Sequence, residues 1–575
     1  MTAHYLPPLK IGRTAEDEIL SIDEMSRRLH MHVMGATGTG KTKFLEHCIQ
    51  QDILNGQGVC VLDPTGNLYN NLVRWCETNY IQDTRDVVLI DPTEDDWVFG
   101  FNPLAFGGGE GTFDGDQLAF GTAATRAAIQ RAWGESKTVA TPLLRRLLNL
   151  LIYTLAEHRL TIAEGQLLMQ PDPKAPIRAY LTKTLRNTAS LHEWDSLATI
   201  RPFEYENLFG SVRNRLFEFL LQPRLAAMIS QTKSIDFRQA MDTGQVVLVN
   251  LSSGGRRVYQ DIAKLIGSLI VNSLVLAARG RVDLPEEERR PFFLYIDECQ
   301  KYLNDDIAEI LDELRQFGLH LILAHQNLTQ LREDGSERIA ASVMSNARTK
   351  VVFQCPDPRD ADAMARLMFR GSIDMEEPKR RFDKPTPTGT FRRETLQSSS
   401  ESDVYTESGE SYTESTTEQS SLDGSSGVGS RSTGTTRTGG GHSQSSSYST
   451  NETLVPEYAV MPTTAYSLEE QYERRAAQLA TLRRRHAFLK LPEHPAEQVT
   501  VPNVEEGFAN PDRVLRFKQA IYQRHDFIVS RADAEATQAQ RLQVLERRAL
   551  VYQAKPGDVI EGEIVPDDFD PWDNK

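Results

Sequence analysis

The sequence predicts an α/β fold built on a mostly parallel sheet with helices on both faces. Three observations carry this. First, short apolar runs alternate with helical patterns on either side of a long helical stretch, in the order βαβαβ, helices, βαβαβαβ. Crossovers of that kind require parallel strands. Second, the run His30–Met34 leads into Gly35-Ala36-Thr37-Gly38-Thr39-Gly40-Lys41-Thr42, which fits the phosphate-loop pattern G-x-x-x-x-G-K-[ST]. Third, the run PFFLYIDE (Pro291–Glu298) ends in two acids.

The chemistry of phosphate binding explains the loop. Its glycines let backbone N–H groups turn inward as an anion nest. The helix that starts at Lys41 aims its free amides and positive dipole end at the same place. Lys41 then reaches the β- and γ-phosphates of ATP, and the Thr42 hydroxyl ligates Mg²⁺. A Gly-rich turn without ligand is the alternative. The order of strand, loop and helix (Lys43–Leu54, stopped by Gly56) speaks against it.

Bulk properties narrow the class. A chain of 575 residues holds two or three compact units. The net charge of -16 implies no broad basic face and counts against general surface adhesion to DNA, while leaving room for DNA in a narrow channel. Cys48, Cys60, Cys76, Cys299 and Cys355 are scattered, with no C-x-x-C, and read as core thiols in a reducing cytoplasm. No signal peptide is expected. The apolar runs Leu143–Ala156 and Leu265–Ala278 are too short and interrupted to span a bilayer, so they read as core helices.

Along the chain, residues 1–108 form the first half of an ATPase core, with an edge strand in LPPLKIGRT. The run GVCVLD (Gly58–Asp63) is a buried strand. It delivers Asp63 either to the nucleotide or to the cap of the helix from Asn67. DVVLID (Asp86–Asp91) is a third strand, and the turn Phe101-Asn102-Pro103-Leu104 follows it. Residues 109–236 open at Gly107-Gly108-Gly109 and read as an all-helical insertion, with apolar spacings of three and four. The second half of the core, 237–396, holds strand QVVLVNL and the Asp-Glu strand. There Asp297 would hold the Mg²⁺ water shell and Glu298 would orient and deprotonate the attacking water. Gln326, at the tip of the next strand, either senses the γ-phosphate or is a loop glutamine in water; His325 reads as a packing histidine.

Residues 397–453 are dominated by Ser, Thr, Gly and Glu, and a disordered loop is expected. Basic clusters Lys379-Arg380-Arg381 and Arg392-Arg393 precede it. Residues 454–490 read as a return strand (Pro456–Pro462) and an Arg-rich helix (Leu468–Leu489). That helix carries Arg474, Arg475, Arg483, Arg484 and Arg485, which either touch phosphate or form a solvated face. The last segment, 491–575, is a helical extension over Pro511–Gln553, with a break near Ser530–Asp533. It ends in an acidic tail at Asp567–Asp573 holding Phe569 and Trp572, a docking peptide or a solubilising end.

The set Gly35–Thr42, Asp63-Pro64-Thr65-Gly66, Phe101-Asn102-Pro103-Leu104, Ile296-Asp297-Glu298, Leu314–Leu319 and Ala324-His325-Gln326 resembles the additional-strand RecA-like motors of the FtsK/HerA group. Within it the chain is most similar to TraG/TraD-type coupling proteins of type IV secretion and conjugation. The resemblance implies a homohexameric ring with DNA in its channel and secretion-channel or relaxosome partners. It also suggests Arg315 as an arginine finger offered to a neighbour's γ-phosphate, with Arg348 as second candidate and a surface arginine as the alternative. The N-terminal membrane helices usual in coupling proteins and the small β-barrel usual in HerA-type motors are not seen in the sequence. The expected function is an ATP-driven DNA translocase feeding a secretion channel. The alternatives are a HerA-like motor working with a separate nuclease and an ATP-switched protein-recruiting platform.

Overall fold

Strands that are apolar at every position can only be buried on both faces, and the computed structural model stacks them side by side in the middle of one sheet. The structure describes residues 5–105, 115–132, 142–252, 260–303, 311–332, 337–373, 386–407, 410–420, 431–435, 443–459, 466–554, 559–560 and 563–564. The chain forms two units, Met1–Ser372 with Tyr472–Lys575, and Ile373–Gln471.

The larger unit is built on β1 (Leu9–Arg13), β2 (Ile19–Ile22), β3 (Met31–Met34), β4 (Gly58–Asp63), β5 (Val87–Ile90), β7 (Val246–Asn250), β8 (Phe292–Ile296), β9 (Leu319–His325), β10 (Thr349–Val352), β15 (His486–Lys490) and β16 (Glu497–Thr500). A short strand β6 (Trp97–Phe99) pairs separately with β17 (Ile528–Ser530). The order is β2-β1-β16-β15-β10-β3-β9-β8-β4-β7-β5. From β10 to β5 every pairing is parallel, while β15, β16, β1 and β2 add an antiparallel edge. The fold is therefore the mostly parallel α/β type that the alternation of elements predicts. β9 stands between the strand of the phosphate loop and the Asp-Glu strand.

The Phe101–Leu104 turn, unexplained by sequence, joins the core to the helices. Phe101 N donates to Met228 O, Asn102 Nδ2 to Leu160 O, and Thr125 Oγ1 to Pro103 O. Asn102 Oδ1 accepts Leu104 N and closes the turn. Between Gly115 and Ile229 every described element is helical. The helix Gln260–Gly280 packs beside Gly115–Ala132, with Asn272 Nδ2 donating to Ala124 O. Its stretch Ala263–Asp283 is long and apolar enough to cross a bilayer, and 67% of that window is buried inside the fold, so it is a core helix here.

The C-terminal extension divides where the sequence breaks, into helices Pro511–Tyr522 and Arg531–Gln553 around β17. Lys518 Nζ meets Asp91 Oδ2 at 3.2 Å and Glu94 Oε1 at 2.8 Å beside the β5 edge, and Arg541 Nη2 meets Glu164 Oε1 at 2.7 Å on the helical insertion. The extension thereby ties core and insertion together.

Two readings differ from the structure. The Arg-rich helix ends at Ala480, and His486–Lys490 is strand β15. Its run Ala487-Phe488-Leu489 is buried where it pairs with β10, so tertiary pairing overrides local helical spacing. The Ser/Thr-rich stretch expected as a disordered loop carries strands instead, in the smaller unit: β11 (Thr386–Glu407), β12 (Glu410–Ser420), β13 (Arg431–Thr435) and β14 (Ser443–Ala459), ordered β13-β12-β11-β14 and antiparallel. Thr and Tyr recur through these strands, and such residues suit a pleated pairing that composition alone does not reveal. Gly107–Gly109, Lys379–Arg381 and the acidic tail lie outside the described residues.

Buried histidines add an acid-sensitive element. His320, fully buried on β9, is pushed down to about 3 by burial, with His30 and Arg28 adding to the effect. A histidine whose folded value lies below the unfolded 6.5 stabilises fully above that value and loses the contribution as pH falls toward the folded one. A His320→Leu variant is therefore expected to lose stability less steeply than the parent between pH 6.5 and 4. The slope should differ by about 1.4 kcal/mol per pH unit, read from thermal midpoints across that range. Equal slopes would refute it.

Candidate active site

The loop is held from below by backbone bonds to both neighbouring strands. Gly35 N donates to His325 O (3.3 Å), and Ala36 N to Gln354 O just past β10 (3.0 Å). Gly35 lies against Phe353, where an added Cβ would meet its Cβ at 2.5 Å, so only glycine passes. Gly40 has φ 115° and caps the helix Lys41–Leu54 without a side chain, leaving the first amides free for an anion.

Parallel strands deliver their side chains to one end of the sheet. Lys41 Nζ, buried, lies 3.4 Å from Glu298 Oε1 and 3.9 Å from Asp297 Oδ1. Thr42 Oγ1 lies 3.4 Å from Asp297 Oδ2. Gln326 Nε2 donates to Glu298 Oε1 at 2.7 Å, and its Oε1 accepts Thr37 Oγ1 at 3.0 Å. Gln300 Nε2 holds the other Glu298 oxygen at 2.8 Å. Gln300 was not anticipated; its position two residues past the acid pair was the available signal. Glu298 itself sits at φ 51°, a strained conformation for a side chain of its size.

The two acids are tuned apart. Burial pushes Asp297 up to about 6, against the pull of Lys41 and with Glu298 and Asp63 pushing the same way. Burial also acts upward on Glu298. The Lys41 ammonium and the bonds from Gln300 and Gln326 outweigh it and hold the carboxylate below its usual range. Thr42 and Asp297 together offer hard oxygen donors of the kind Mg²⁺ takes, in a pocket whose excess carboxylate charge a cation would neutralise.

Three further sequence-predicted residues make no hydrogen bond or ion pair with Lys41, Asp297 or Glu298 among the described contacts, although the charge of Asp63 acts on Asp297. Asp63 is buried and committed to its own turn: Oδ1 accepts Thr65 N and Thr65 Oγ1 (2.8 Å each), and Oδ2 accepts Tyr69 N (2.9 Å). Of its two readings the capping role fits this geometry. Arg315 is exposed on the turn Arg315–Phe317 that precedes β9. Exposed Arg348 precedes β10. Both precede the strands whose far ends reach the loop, about 23 Å of strand for β9 and about 13 Å for β10 at roughly 3.3 Å per residue.

Below the loop, His325 Nδ1–H donates to Asn327 O (2.9 Å), and its Nε2 accepts from His32 Nε2 at 2.5 Å, the rings stacked. Burial pushes His325 down to about 4 and His32 well below the usual value. Both are packing groups that tie β3 to β9.

A glycine loop opening a helix, an acid pair at the end of a parallel strand and a polar tip on the strand between them define a P-loop NTPase of the additional-strand RecA-like class. The chain belongs to the family of the type IV secretion-system coupling protein DNA-binding domain, whose profile matches residues 18–96 and 162–386, more than half of its length. Among solved structures it is similar to plasmid coupling protein TrwB in complex with ADP and Mg²⁺, with 15% identity over 89% of this chain and 93% of that one and a TM-score of 0.46. It is similar also to the unbound monoclinic form of bacterial conjugative coupling protein TrwBdeltaN70, with 15% identity over 87% and 90% and a TM-score of 0.45. VirB4 of Thermoanaerobacter pseudethanolicus gives 11% identity over 88% and 97% and a TM-score of 0.47. No curated protein matches the chain by sequence.

Proposed function

We propose that the chain is an ATP-hydrolysing DNA translocase that acts as a homohexameric coupling ATPase at a type IV secretion or conjugation channel, on the cytoplasmic side. The observation that carries this is Glu298, poised between Lys41 and Gln326 above a phosphate loop, in a member of the coupling-protein family. In the reaction, Lys41 leaves Glu298 for the β- and γ-phosphates of ATP. Glu298 then accepts a proton from the attacking water, and Gln326, already bonded to both Glu298 and Thr37, registers whether the γ-phosphate is present. Thr42 and Asp297 would hold Mg²⁺, which would supply charge neutralisation to the phosphates. Arg315, or Arg348, acts across a subunit interface. That accords with its distance from the site of its own chain and makes hydrolysis depend on assembly.

Net acidity directs DNA contacts to the ring channel, through phosphate and therefore salt-sensitive. The test is the ATPase rate against protein concentration, with and without DNA. The expected result is a steep rise with concentration and stimulation by DNA. Hydrolysis indifferent to DNA would overturn the translocase reading and favour a recruiting platform.

A further inference from the structure

The segment from the end of the helix Leu468–Ala480 to β15 lies some 440 residues downstream of the phosphate loop, yet it bonds that loop directly at one point and through Gln354 at another. At one, Arg485 N donates to Thr39 O at 2.8 Å. At the other, Ala480 O accepts Gln354 Nε2 (3.1 Å), and the carbonyl of the same Gln354 accepts Ala36 N. Arg485 lies directly against Gly40, whose missing Cβ would stand 3.5 Å from the Arg485 Cα.

Arg485 is itself strained, with φ 68°, a region costly for any residue that carries a Cβ. Its surroundings hold it there. Nε and Nη2 both donate to Val501 O, at 3.0 and 2.7 Å, and Val501 N returns a bond to Arg485 O at 2.8 Å. The guanidinium is thus a bracket between β15 and the chain leaving β16, and it presents the Arg485 N–H to the loop.

We infer that Arg485 is a positioning residue for the phosphate-binding loop: its side chain fixes a strained turn whose backbone holds Thr39 in the anion-binding arrangement. This rests on the nucleotide-binding reading above. Arg485 touches neither acid nor Lys41 in the contacts described, so its effect falls on binding more than on the chemical step. Because it acts through the loop, a bare phosphate chain must feel its loss as much as a nucleotide does.

The experiment compares the full-length parent, Arg485→Ala and Arg485→Lys for affinity toward Mg-ADP and toward inorganic tripolyphosphate, alongside kcat and the thermal midpoint. For Arg485→Ala, both affinities should fall about tenfold, the loss of two hydrogen bonds' hold on the turn. At saturating ATP, kcat should stay within about twofold, with the thermal midpoint close to the parent's. Arg485→Lys, which keeps one donor for Val501 O, should lose about threefold in both affinities, between the parent and Arg485→Ala. Unchanged affinities in Arg485→Ala overturn the inference, and so does a loss confined to ADP, which would mark a nucleoside contact. Should Arg485→Ala fail to fold, Arg485→Lys decides alone: about a threefold parallel loss supports the inference, and parent-like binding refutes it. A parent that binds neither ligand overturns the nucleotide reading itself.

Discussion

Glu298→Gln is expected to bind ATP at least as tightly as the parent while hydrolysing it about 10²- to 10⁴-fold more slowly, the usual range for removing a general base. The carboxylate sits where Lys41, Gln300 and Gln326 converge, and they hold its proton affinity low. An amide has nearly the same shape and cannot take a proton from water. Substitution also frees Lys41 from the shorter of its two buried ion pairs and leaves only the 3.9 Å contact to Asp297, so less is given up when the lysine moves to phosphate. Equilibrium binding of ATP and single-turnover hydrolysis separate the two effects. Hydrolysis within tenfold of the parent would mean that Glu298 is not the base.

The largest stability effect is expected far from the chemistry. Asp52, near the end of the helix that begins at Lys41, is fully buried. It forms an ion pair with Arg27 and accepts Tyr295 OH at 2.6 Å from β8. Arg27 also donates to Pro7 O at 2.6 Å and lies over the Phe293 ring at 4.7 Å. Burial pushes Asp52 up; Arg27 and the Tyr295 hydroxyl pull it back. Asp52→Ala leaves a buried guanidinium without its counter-charge, and about 3–5 kcal/mol of stability should be lost. The double variant Arg27→Met/Asp52→Leu removes both charges and should recover much of it. Thermal and urea unfolding of the three chains would show the pattern, and a loss under about 1 kcal/mol for Asp52→Ala would contradict it.

What the sequence made legible was local. The glycine loop, the apolar strands and the acid pair each announce themselves within eight residues, because the chemistry of phosphate binding and of two-faced burial leaves few alternatives. Lateral order was not legible. Nothing near His30–Met34 says that its neighbours are Leu319–His325 and Thr349–Val352, or that His486–Lys490 closes the antiparallel side. A short apolar run such as Ala487-Phe488-Leu489 suits helix or strand until its partner is known. Asp63 ended a strand in the right way for either of two roles, and only the structure shows its bonds to Thr65 and Tyr69 together with its charge beside Asp297. Arg485 stood out only as one of an arginine run, and its bracing role gave no signal, because that role depends on a backbone angle and on Val501.

The strand order has a consequence for biosynthesis. Met34 leaves the ribosome 285 residues before Leu319, and β10 follows later still. At about 5–20 residues per second, the strand that bears the phosphate loop waits roughly 15–60 s with both edges unpaired. Through that interval an apolar strand with open N–H and C=O groups is exposed to wrong pairing. Nucleotide cannot template the first half of the chain, since the loop has no floor until His325 and Gln354 arrive. The nascent chain is therefore a natural client for holding chaperones, and a ribosome-stalled fragment ending before β9 should aggregate where the full chain does not.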